Sequence, residues 1–276
     1  EGEFIVVNGN DAHFTIGEPN DPYPKQATIT MHGHWRSLGL PKFGVKVIAM
    51  TSGRMTFYGK EVEPWSLLHA TVNAEENIIY VQGDLRTKGW VPNARLLVSS
   101  TGYGTERNCR IDRKDKCQTE EVQVQSITIV SPGNVMKVTL KNPLSYTHLG
   151  ESIAIPGAEN GETVERRATV ALLDRNINVK GTDVEGFGAQ TMMLSGQMVL
   201  DYVEFGPFVG QAFQLGRYAV HFHTPNEPLF KNGLQTSNDP KMQGSHQALS
   251  RVRGCAIHGS NNRAIAVHGC HFLPVE

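Results

Sequence analysis

The chain has 276 residues, with 26 Lys plus Arg against 27 Asp plus Glu and 39% hydrophobic residues. That length suits one large β domain or two smaller ones, with a core that removes roughly three quarters of the unfolded surface from water. Balanced charge excludes the basic face of a nucleic-acid binder and the acidic tail of a disordered segment, and there is no apolar run of about 18 residues to span a membrane.

The N-terminal EGEFIVVNGN has neither the basic start nor the long apolar stretch of a signal peptide. It opens as if in mid-strand, and LPVE ends in mid-pattern. The expectation is an internal piece of a longer polypeptide, with any secretion signal or anchor outside it. Helical periodicity is close to absent. Strand signals follow one another as FIVV, ATITMHG, VKVIAM, RMTFYG, NIIYVQG, ARLLVSS, VQVQSITIV, VMKVTL, ATVALL, NINVKG, TMMLSG, MVLDYVEF, YAVHFH, CAIHG and AIAVHG. Most end on Gly, Asn, Asp or Pro, so the chain is predicted to be all-β. The charged loop CRIDRKDKC is bounded by Cys109 and Cys117. A disulfide between them, and so an oxidising compartment, is expected; two free loop thiols are the alternative. Cys255 and Cys270 lie in apolar stretches and read as buried thiols. No N-x-S/T glycosylation sequon occurs.

The last third repeats. NINVKG begins at Asn176 and QMVLDYVEF at Gln197, 21 residues later; RVRGCAIHG begins at Arg251 and FLPVE at Phe272, again 21 later. Between the pairs lies a polar insertion from Thr224 to Gln247. Short apolar strands at this period, with insertions confined to loops, predict a parallel β-helix whose stacked coils share one core. The pleat turns Val220, Phe222, Cys255, Ile257, Ile265 and Val267 inward and leaves His221, His223, His258 and His268 outside.

The phrases GQAFQLGRYAVHFH and RGCAIHGSNNRAIAVHG resemble the β-helix of the fibrocystin family. Upstream, KQATITMHGHWRSLGLPKFGVKVIAMTSGRMTFYGKEV resembles the end of that family's eight-glycine domain, and NPLSYTHLGE and RRATVALLDRNINVKG follow in family order. AFQLGRY and LSYTHLGE are closer to the fibrocystin branch than to the hyaluronidase branch. Two departures stand out. Relatives often have Pro where Ala219 stands, and tend to carry an acid where Thr169 stands. If that acid contributes to hyaluronan cleavage, its absence counts against activity here. The resemblance implies a right-handed parallel β-helix over residues 166–276. It would follow a connecting β module over 61–165 and the C-terminal part of an eight-glycine domain over 1–60.

The first candidate site is the outer histidine wall. His221 and His223, joined by His258 and His268, can hold a divalent metal, calcium being the cation considered, or bind a sugar carboxylate when protonated; a structural ladder of stacked side chains is the alternative. Arg217 and Arg263 precede the histidine strands and suit an anionic glycan, or else a salt bridge to Asp201 or Glu204 of a neighbouring coil. Asp201 and Glu204 are weak candidates for the two carboxyl groups of a glycoside hydrolase, against a merely solvated acidic face. Asp174 reads as a turn former. His32, His34 and Trp35 in TMHGHW repeat the H-x-H spacing beside a tryptophan that is either a sugar platform or a packing residue. No phosphate loop, nucleophile elbow or zinc-protease motif occurs.

The reading is a non-catalytic extracellular module of a large fibrocystin-like surface protein, of the kind that the resemblance associates with cilia and flagella. Its partners would be extracellular proteins, acidic glycans or other segments of the same polypeptide. The alternative is a hyaluronan-depolymerising hydrolase.

Overall fold

The computed structural model describes residues 2–102, 117–130, 134–157, 160–223, 250–268 and 273–276. Cys109, Cys270 and the insertion from 224 to 247 lie outside the described residues, and with them the predicted Cys109–Cys117 bridge. The chain divides into two units: residues 1–61 with 175–276, and residues 62–174.

The first unit opens with β1 (Phe4–Val7), β2 (His13–Ile16), β3 (Ala27–Met31), β4 (Val47–Met50) and β5 (Arg54–Tyr58). The second unit contains β6 (Trp65–Leu67), β7 (Ile78–Gln82), β8 (Arg95–Val98), β9 (Glu120–Val130) and β10 (Val135–Leu140). It ends with the hairpin β11 (Ile153–Ala154) and β12 (Thr163–Val164), then β13 (Thr169–Leu172). The first unit resumes with β14 (Ile177–Gly181), β15 (Gln190–Met193), β16 (Gln197–Asp201) and β17 (Val203–Phe205). It closes with β18 (Val220–His223), β19 (Arg251–Arg253), β20 (Ala256–Ile257) and β21 (Ile265–His268).

In the first unit the strands form three sheets, in the orders β1-β4-β15-β18-β21, β2-β5-β16-β19 and β3-β14-β17-β20. Every pairing within them is parallel. Each turn of chain adds one strand to each sheet in fixed rotation, which is a parallel β-helix. The first coil is β1, β2 and β3. The second is β4 and β5 from before residue 62, completed by β14 from after residue 174. Asn176 fastens this break: its Oδ1 accepts from the Lys60 amide at 2.8 Å, and its Nδ2 donates to the carbonyls of Tyr23 and Lys25 at 2.6 and 2.8 Å.

The expected three consecutive parts, 1–60, 61–165 and 166–276, therefore differ from what is seen. Residues 1–61 belong to the same solenoid as residues 175–276, and residues 166–174 complete β13 in the other unit. Parallel strands satisfy their backbone groups only on neighbouring strands. β3 has its neighbour in β14, and β5 lies between β2 and β16, so the first coil is one end of the helix rather than a separate domain.

The pleat is as predicted for Val220 and Phe222, which are buried, and for Cys255, Ile257 and Ile265, which pack partly buried against the core; Val267, on the last strand of its sheet, is 42% exposed instead. Val7, Met50, Met193 and Phe222 occupy one inward column of successive coils, all buried in a core that also holds Met55, Phe57, Leu200, Val203 and Phe205. Burying a side chain such as Phe222 contributes about 2–3 kcal/mol. A smaller apolar cluster of Phe43, Val47, Ala49 and Met192, flanked by Leu40 and Leu194, forms separately from that core. Ala49 and Met192 share a column with His221, so the first sheet carries apolar groups on its outer side as well.

The second unit is an antiparallel sheet in the order β6-β13-β8-β9-β10-β7. A bridge between Leu68 and Val81 joins its two ends, and the His69 amide donates to the Tyr80 carbonyl at 2.8 Å. Its core contains Trp90, Leu96, Val98, Met136, Val138 and Val170, and the Trp90 indole donates to the Glu63 carbonyl at 2.9 Å. Among the described residues no helix is long and apolar enough to cross a membrane.

Candidate functional site

β18 and β21 are neighbours in register, with His221 opposite Ala266 and His223 opposite His268. This places three imidazoles in one cluster. Ring centroids are 5.0 Å apart for His221 and His223, 5.2 Å for His221 and His268, and 5.8 Å for His223 and His268. One ring nitrogen from each lies within 4.8 Å of the others.

The three rings differ in exposure. His268 is exposed and His223 half-buried, whereas His221 is buried. Alternation does turn His221 away from the solenoid core, but away from the core is not into solvent. Tyr218, itself buried, meets the His221 ring edge-on at a centroid distance of 4.9 Å. His221 Nδ1 donates to the Gly216 carbonyl at 3.0 Å; a carbonyl only accepts, which fixes the tautomer and leaves Nε2 with a lone pair. Among the described residues, that Nε2 is buried without a hydrogen-bond partner, as is Nδ1 of His223. Burial pushes the His221 pKa down to about 4; the Gly216 hydrogen bond opposes this, while His223, His268 and Arg217 add to it.

The arginines frame the cluster without pairing with the acids first considered. Arg263 is exposed, with its guanidinium 5.4 Å from the Tyr218 ring centre, and donates to the Tyr218 hydroxyl at 2.9 Å. Arg217 donates to the Lys42 carbonyl at 2.9 Å, and its guanidinium packs on Gly44.

His258 does not join the cluster. It follows β20 in the third sheet, and its Nε2 lies 2.9 Å from Glu204 Oε1 on β17. Glu204 also accepts from the Arg175 amide at 3.3 Å and is buried. Asp201 lies in the second sheet, is buried, and accepts two hydrogen bonds from Arg251 at 2.8 and 2.6 Å. The solvated acidic face expected for these two residues is thus replaced by two buried, partnered carboxylates. Each faces away from the core, and the next coil covers each with a basic side chain.

Trp35 is 54% exposed and packs at a tilt on Phe187, with 4.4 Å between ring centroids; His34 Nδ1 accepts from the Arg36 amide at 2.9 Å. Asp174 accepts from the backbone and side chain of Arg95, both at 2.7 Å. Thr169 belongs to β13 of the second unit. Two polar anchors escaped the sequence reading. Lys46 is fully buried and donates to the carbonyls of Thr182 and Phe187, both at 2.8 Å. His148, in LSYTHLGE, is buried with both ring nitrogens facing oxygen acceptors, Ser99 O at 2.8 Å and Glu120 Oε1 at 3.0 Å. Lys46 is marked in the sequence as the single polar residue of FGVKVIAM, whereas no comparable signal marks His148 among the polar residues of LSYTHLGE.

Comparison with known proteins gives the family. The G8 domain model matches residues 1–69, and the CEMIP beta-helix model matches residues 186–276. Human fibrocystin-L is 30% identical over 306 aligned residues that take in 95% of this chain. The chain belongs to the fibrocystin-L and CEMIP family. It spans 6% of the length of fibrocystin-L, so it corresponds to one segment of that relative. The human cell migration-inducing and hyaluronan-binding protein is 27% identical over 83% of this chain and 15% of its own length. Human cell surface hyaluronidase CEMIP2 is 27% identical over 68% of this chain and 12% of its own length. In this member, the G8 match covers the first coil and both early strands of the second coil. The β-helix match begins just before β15, and the two matches bracket most of the second unit.

Proposed function

We propose that the chain is a non-catalytic module of a cell-surface or extracellular protein, and that it contacts an acidic glycan on the outer side of the sheet carrying His221, His223 and His268. The observation that carries this reading is the commitment of Asp201 and Glu204. Glycoside hydrolysis ordinarily requires two carboxyl groups flanking one bond. Here one is held by Arg251 and the other lies against His258, on two sheets that are not the histidine sheet. Arg263 and His268 are exposed beside the cluster and supply cationic and hydrogen-bonding groups for a sugar carboxylate. The surface location rests on the relatives, one of which is named a cell surface hyaluronidase and another a hyaluronan-binding protein.

Those names also favour a second reading, in which the chain depolymerises hyaluronan. One experiment separates the two. The 276-residue chain is incubated with size-defined hyaluronan, with and without added divalent cation, and both bound polymer and polymer length are measured. Binding at unchanged length, weakened by Arg263→Ala, is expected. Shortening of the polymer that is lost in His268→Ala supports the hydrolase instead, and absence of binding removes the glycan from the proposal.

A further inference from the structure

We infer that His221, His223 and His268 bind one divalent transition-metal ion of the zinc class, which ties β18 to β21. Three features of the cluster converge on this. Its donors come from two adjacent strands and lie within 4.8 Å of one another. Two of its ring nitrogens, His221 Nε2 and His223 Nδ1, are buried and have no hydrogen-bond partner among the described residues. A buried polar atom left unsatisfied is destabilising, and a ligated metal removes that cost at both atoms together. Finally, His221 is held as metal-binding histidines are: its other nitrogen donates to a backbone carbonyl, Gly216 O at 3.0 Å, which fixes the ring and leaves Nε2 as the nitrogen that can ligate.

The donor set selects the metal. All three cluster members are imidazoles. Calcium takes six to eight oxygen ligands, whereas zinc, copper and nickel accept imidazole nitrogen. The chemistry therefore favours zinc over the calcium first considered. Tetrahedral zinc with Zn–N bonds of about 2.0–2.1 Å sets its ligand nitrogens about 3.3 Å apart. Rotation of the exposed His268 ring toward β18 supplies the contraction. The residue opposite His221 is the small Ala266. Three protein ligands leave a fourth position, for water or an anionic oxygen.

The test reads the metal and not the glycan, so its outcome is independent of the function proposed above. The 276-residue chain, prepared without a histidine tag and stripped with chelator, is dialysed against Zn2+ or Ca2+, and bound metal is counted by mass spectrometry. One Zn2+ per chain is expected, with at least 100-fold preference over Ca2+. Cobalt substituted for zinc should give the visible absorption of a four-coordinate site. His223→Ala and His268→Ala each weaken zinc binding at least tenfold with unchanged far-ultraviolet circular dichroism, while His13→Ala on β2 leaves it unchanged. Substoichiometric zinc, zinc binding by both cluster variants as tight as that of the unaltered chain, or a preference for calcium overturns the inference.

Discussion

Arg251 reaches back one coil and holds both carboxylate oxygens of Asp201, at 2.8 and 2.6 Å. The two residues lie on β19 and β16, neighbours in one parallel sheet, and Asp201 is buried while Arg251 keeps a partly solvated edge. Removing the guanidinium strands a buried carboxylate. Arg251→Ala is expected to lower stability by about 2 kcal/mol, less than a fully buried pair would cost because part of the arginine is in water. Urea unfolding checks this, and Arg251→Lys should restore only part of the loss, because a single ammonium cannot reproduce the two-pronged contact.

Gly150 ends the LSYTHLG phrase in the second unit and lies against the backbone of Ala70. A Cβ on Gly150 would overlap the Ala70 carbonyl and the Thr71 amide, and its own amide donates to the Thr71 hydroxyl at 3.0 Å. Gly150→Ala must displace backbone and is expected to cost about 3 kcal/mol. The fluorescence of Trp90, buried in the same unit, should report its earlier unfolding. An unchanged midpoint would mean that the close approach of these two segments relaxes freely.

Glu120 gives the second unit an acid-sensitive joint. Burial pushes its carboxyl pKa up. Hydrogen bonds from His148 and from the amides of Ser145 and Tyr146 outweigh that and hold it below its ordinary 4.5. A depressed folded-state pKa contributes stability that is present above the unfolded value and is lost as pH falls through the folded one. Glu120→Gln should therefore be less stable than the wild type at pH 7. The gap should close as pH drops below about 4, as read by denaturant unfolding at each pH.

Lys46 predicts a dependence of the same sign in the solenoid, displaced to alkaline pH. Burial lowers its pKa to about 8, with Asp183 opposing. Between that value and the unfolded pKa of about 10.4, the unfolded chain binds more protons, so stability rises with pH across the window. Relative to Lys46→Met, the wild type should gain stability from pH 7.5 to pH 10. A flat difference would show that the ammonium is not desolvated in the folded chain.

Much of the molecule was legible along the chain. The strand phrases, the all-β class and the repeat of about 21 residues come from local alternation and turn residues, and β4, β14, β16 and β18 fall within phrases read as strands. β2 and β6, HFTI and WSL, were missed because each is a short, partly exposed run whose strand character comes from its neighbour. Inward packing of Val220 and Phe222 followed from the pleat alone.

By itself, then, the sequence determined which side of each strand faces the core, because side-chain alternation is a property of the extended backbone. Only the tertiary structure decided what covers the other side. Coil register brought His268 to His223, sent His258 to Glu204, and put Tyr218 against His221. It also joined residues 1–61 to residues 175–276 across an inserted unit of 113 residues, 62 to 174. Such pairings link residues up to about 150 positions apart, as β3 and β14 are, and are fixed by how whole coils stack.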